Sequence, residues 1–79
     1  MHIKPETIED LELLFLFKLD TAQTGLKVHH DAAKERINAA KRLFEMELTT
    51  LPDGGYLTPL GMQAVEHAQK LLGILGADK

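Results

Sequence analysis

Residues 51–61 read LPDGGYLTPLG. Two threonine-bearing stretches, LTTL at 48–51 and YLT at 56–58, flank the tetrad Pro52-Asp53-Gly54-Gly55. Asp-Gly-Gly is turn chemistry, because it supplies the positive φ angles that a tight reversal requires, so the stretch predicts a β-hairpin. Thr58 followed by Pro59 then predicts a helix that starts where the hairpin ends. A threonine hydroxyl can accept from the free amides of a first turn, and proline at the first helical position loses no hydrogen bond. A hairpin running straight into a capped helix decides the reading of everything around it.

Downstream, a helix is expected from residue 59 to 75, with Val65, Ala68, Leu71, Leu72 and Leu75 inward and Gly76 as its stop. Upstream, Asp31 is a good N-cap for a helix over residues 32–47. Its expected buried stripe is Ala33, Ile37, Ala40 and Phe44, with Leu43 alongside. Before it, Gly25 is a break, and Leu26-Lys27-Val28 reads as a short third strand. The first helix begins at Pro5 and runs to Lys18 or Leu19, with Thr7 and Asp10 as an alternative capping box. Its LELLFLFKL run is apolar nearly all round. Ile8, Leu11, Leu14 and Phe15 form one stripe, while Leu13, Leu16 and Phe17 are left for another side, which must also be covered. The order is helix, short strand, helix, hairpin, helix.

The bulk properties agree with a single domain over residues 1–79, since 79 residues allow no more than one. A chain this short has a small core and gains from disulfides, metals or oligomerisation. It has no cysteine, which excludes disulfides and thiolate metal sites and fits a reducing compartment. The N-terminal MHIKPETIEDLELL is acidic where a signal peptide is basic, and its apolar run is too short to span a bilayer. A cytoplasmic protein is expected. The net charge of −3, from nine basic and twelve acidic residues, argues against a general nucleic-acid-coating protein. A specific binder with its cations gathered on one face is still compatible with it.

The residues Arg42, Leu43, Leu48, Gly54, Gly55, Tyr56, Leu57, Thr58 and Gly61 carry a resemblance to the winged helix-turn-helix domains of MarR-type and related bacterial regulators. There, a similar stretch links the recognition helix through a wing to a dimerisation helix. The whole chain also resembles a family of small uncharacterised bacterial proteins that share LFxL, GxxVH, PDGGYLT and EHAxxLL. These are sometimes labelled "DNA-binding protein inhibitor Id-related". The resemblance implies an α+β, winged-helix-like domain with three main helices, a β-hairpin wing and a short third strand. Two departures stand out. The segment between Leu19 and Asp31 has hardly room for both a strand and the first helix of a helix-turn-helix. The wing LTTLPDGGYLT has no Lys or Arg and carries Asp53 near its tip, so it is not expected to grip phosphate.

Two constellations could carry function. On the second helix, Lys34, Asn38, Lys41 and Arg42 follow i, i+4, i+7, i+8 and fall on one arc suited to a major groove. Asn pairs with adenine, and Lys or Arg reaches guanine or phosphate. The same arc reads equally as the solvated face of an amphipathic helix, with Glu45 paired to Lys41 and Glu35 nearby. The second constellation is Leu13, Leu16 and Phe17, a surface for a second copy or another protein, unless the last helix and the 20–30 segment cover it. The expected partners are thus double-stranded DNA or a protein surface, with a homodimer included. No membrane and no small-molecule substrate is expected.

The remaining chemistry is sparse. His2, His29, His30 and His67 show no i, i+4 pair, and adjacent His29 and His30 point apart, so no metal is expected. There is no serine, no cysteine, no phosphate-cradling glycine loop and no nucleophile–base pair, so no enzyme and no cofactor is expected. Tyr56 could stack on a sugar or base, or pack its ring on the hairpin. Two functions from different classes follow. One is a dimeric DNA-binding transcriptional regulator reading through residues 32–47. The other is a protein-interaction module of winged-helix ancestry acting through the first helix.

Overall fold

The computed structural model describes residues 2–17 and 25–76. Its elements are α1 (Pro5–Leu14), β1 (Leu26–Lys27), α2 (Lys34–Glu45), β2 (Thr49–Leu51), β3 (Gly54–Leu57) and α3 (Pro59–Leu75). The three strands form one antiparallel sheet in the order β1-β3-β2. This is the small α+β fold expected, with three helices, a hairpin and a short third strand.

Helix α1 does start at Pro5, but no side chain caps it, so the Thr7–Asp10 capping box does not form. The helix also ends earlier than expected. Leu16 N–H donates to Leu13 O at 3.0 Å and Phe17 N–H to Leu14 O at 3.2 Å, the tight i→i+3 pattern of a closing turn. The expected extension to Lys18 or Leu19 lies outside the described residues. The buried residues of α1 are Leu13 and Leu14, and Phe17 in the closing turn joins them in the core. Ile8, expected on the buried stripe, is 46% exposed.

Helix α2 begins two residues later than expected. Its N-cap is Ala33, with extended backbone and no side-chain bond, so Asp31 is not the cap. Asp31 sits instead in the turn closed by Ala32 N–H donating to His29 O. The buried face is Ala39, Ala40 and Leu43, while Phe44 is 39% exposed and Ala33 is exposed. The helix stops through a paired terminal bond. Glu47 N–H donates to Phe44 O and Leu48 N–H to Leu43 O, with Glu47 held at a φ of 65°.

In the hairpin, Pro52 and Asp53 form the turn and the glycines belong to β3. Gly54 and Gly55 have φ of 124° and 76°, as glycine allows. Gly54 also answers a steric demand. A Cβ there would collide with the carbonyl of Leu26, because β1 crosses directly against it. Thr58 ties the segment after α2 to the start of α3: its hydroxyl donates to Glu47 O at 2.6 Å and accepts from Gly61 N–H at 3.0 Å. Pro59 takes the first helical position and Gly76, at φ 75°, ends α3. The core gathers Leu13, Leu14 and Phe17 of the first segment, Ala39, Ala40 and Leu43 of α2, Leu57 of β3 and Val65 of α3. Thr49 is buried among them with its hydroxyl donating to Leu51 O.

Candidate functional site

The four α2 residues expected on one reading face do not act together. Lys34 and Lys41 are exposed. Asn38 is half-buried and lines a cleft of about 240 Å³ with Pro5, Glu6, Glu9, Glu35 and Arg42. Arg42 is taken up by α1. Its Nη2 lies 2.8 Å from Asp10 Oδ1, its Nε donates to both Asp10 carboxylate oxygens at 2.9 and 3.2 Å, and Nη2 donates to Glu6 O at 3.3 Å. The guanidinium is held above its ordinary pKa, chiefly by the hydrogen bonds to Asp10 and then by the charges of Asp10, Glu6 and Glu9. An arginine in a bidentate carboxylate pair is not presented to a base edge. Arg42 is therefore a strut between α1 and α2, engaged with Asp10 rather than turned outward beside Lys34 and Lys41. The signal was in the sequence: Asp10, Leu13, Leu14 and Phe17 share one helical face, so a carboxylate begins the core-facing stripe. Asn38 lies between that acidic edge and the solvent. The outward face of α2 is mixed, with Lys34 and Lys41 beside exposed Glu35 and Glu45.

The expected interface on α1 is also redrawn. Leu13 and Phe17 are only 1% and 4% exposed and belong to the core, so they offer nothing to a partner. Leu16 alone of the three faces outward, half-exposed. The reason is geometric. Leu13 and Leu14 at the end of α1 and Phe17 in the turn that closes it all enter the core that α1 shares with α2, so Leu13 and Phe17 form no second side.

Exposed apolar surface appears instead on α3. Leu71, Ile74 and Leu75 are 57%, 83% and 67% exposed, whereas Val65 in the first half of the helix is 1% exposed. Leu71 and Leu75 were expected inward with Val65. Ile74 lies on the side of α3 opposite Val65, and Leu71 and Leu75 lie well round from it, so the sheet and the α1–α2 core cover the Val65 side and leave these three to solvent. Sequence periodicity shows a broad apolar arc on α3 but not which sector of it the core covers.

A second concavity, of about 520 Å³, lies between α2 and the end of β1 with the hairpin turn. Lys27, Val28, His30, Ile37, Ala40, Lys41, Pro52 and Asp53 line it. Tyr56 is half-exposed, its ring against Gly25. Among the described residues no group of three or more His, Asp or Glu is placed to hold a metal ion, and no helix is long and apolar enough to cross a membrane.

The fold and surface define a small α+β domain with mixed charge on its exposed helix and apolar side chains on its last helix. A model of a family of unknown function (DUF5669) matches residues 1–76, and the chain belongs to that family. No curated protein and no solved structure matches it.

Proposed function

We propose that this protein is a non-enzymatic interaction module of winged-helix ancestry that self-associates through the second half of α3. The observation that carries the reading is the exposure of Leu71, Ile74 and Leu75 at i, i+3, i+4 on one helix. Single exposed apolar residues are ordinary, but three neighbours on one helical arc form a patch that water does not favour. A second copy would cover it with the same residues, since a two-fold axis pairs a surface with itself. A small core gives such association a stabilising role as well. The test is light scattering across a range of concentrations, on the wild type and on Leu71→Glu/Ile74→Glu. The expected result is a wild-type dimer and a folded monomeric variant. A wild type that stays monomeric when concentrated, or a variant that still dimerises, overturns the reading.

DNA binding is the second reading, and it rests on Lys34 and Lys41, which are exposed on α2. A dimer would offer each of them twice. The loss of Arg42 to Asp10 and the neighbouring Glu35 and Glu45 weigh against it. Fluorescence anisotropy of a labelled duplex at low and moderate salt decides it. Binding that weakens steeply with salt supports phosphate contacts by the lysines, and no binding at low salt removes the reading.

A further inference from the structure

The cleft between α2 and the hairpin turn combines an apolar floor with a basic rim. Its floor is apolar, with Ala40 buried and Val28 and Ile37 half-buried, and Pro52 extends it to the rim. Its rim carries Lys27, Lys41 and His30 against the single acid Asp53. The chain as a whole has a net charge of −3, so the cationic excess is local. The cleft exists because residues 28–33 pass from β1 to α2 without forming a helix. Val28 N–H is tied to Asp53 O at 2.8 Å, which holds that strand end on the hairpin and away from the outer flank of α2. The flank bearing Ile37 and Lys41 is thus left open.

We propose that this cleft docks a short acidic, apolar segment of a partner protein. An apolar anchor side chain enters between Val28 and Ile37, over Ala40. Carboxylates flanking it in the segment meet Lys27 and Lys41 at the rim. Charge complementarity selects the sign of the segment, and the apolar floor supplies the anchor site. A phosphate backbone would use the lysines but leave the floor wet. A small ligand would be poorly enclosed, because Lys27, His30, Lys41, Pro52 and Asp53 are all exposed, whereas small-molecule sites bury most of their ligand. The proposal names a partner for the interaction-module reading but uses a different surface from the α3 patch, so each can fail alone.

The experiment is a nuclear magnetic resonance titration of the full chain with a defined synthetic peptide bearing Leu and Phe anchors between Glu and Asp residues. A twin peptide with every acid replaced by lysine is the control. The acidic peptide is expected to shift the Val28, Ile37 and Ala40 signals, and the basic twin to leave them in place. Lys27→Glu/Lys41→Glu, at two exposed positions that leave the fold intact, should weaken binding by about tenfold or more. Leu71→Glu/Ile74→Glu should bind the peptide as the wild type does, whether or not it has become monomeric, which separates this proposal from self-association through α3. Equal binding of the twin, no shift at these residues, or displacement of the peptide by a DNA duplex would overturn the assignment.

Discussion

Arg42 and Asp10, thirty-two residues apart in the chain, meet in a two-oxygen ion pair at 2.8 Å that locks α2 to α1. The same guanidinium reaches Glu6 O, so one side chain secures two turns of α1. A residue that looks at first like a nucleic-acid contact is a tie within the fold. The raised pKa of Arg42 contributes stability that is complete below its unfolded value and lost only as pH climbs through the still higher folded value. The arginine therefore stays charged through the whole usable pH range.

Removing either partner should show this coupling. Asp10→Ala and Arg42→Ala are each expected to lower the urea midpoint, and the double variant should be no worse than the poorer single one. Additive losses in that cycle would mean the two residues act independently. Arg42→Ala should also leave any duplex affinity close to that of the wild type, because the side chain is already committed.

The redrawn α1 face makes a sharp contrast between two neighbouring leucines. Leu13→Ala empties a fully buried position and should cost about 2–5 kcal/mol. Leu16→Ala, at a half-exposed position, should stay within about 0.5 kcal/mol of the wild type in the monomer. Thermal unfolding of the two variants measures both effects. Similar losses would restore Leu16 to the core and undo the assignment of Leu13 and Phe17.

Gly61 tests a close approach that helix propensity alone would misjudge. In an ordinary helix Gly→Ala stabilises by about 1 kcal/mol. Here the added Cβ would strike the carbonyl of Leu48, with a Leu57 methyl also near. Gly61→Ala is therefore expected to destabilise by about 1–3 kcal/mol, as overpacking of a tight contact does. A stabilised variant would show that the first turn of α3 stands off from residue 48.

Much of the fold was legible because its signals are local. Thr58 and Pro59 start α3 as their chemistry requires, Gly76 stops it in a left-handed conformation, and Asp53-Gly54-Gly55 marks the reversal. Even there, the sheet added a reason that no local rule contains, since Gly54 makes room for the backbone of Leu26. The start of α2 was misplaced because Asp31 looks like a cap, yet the chain turns through His29 and Ala32 before the helix begins at Lys34.

Element types, their order and the turn chemistry follow from the amino-acid sequence itself, because they depend on residues within one or two turns of each other. Which apolar stripe is covered, and by what, depends on how far the other layers extend. Tertiary structure therefore decided that Leu13 and Phe17 are core, that Leu71 and Leu75 are surface, and that Arg42 pairs with Asp10. The physical reason is that periodicity records a side chain's direction around its own helix, while burial and pairing depend on what another segment brings to meet it.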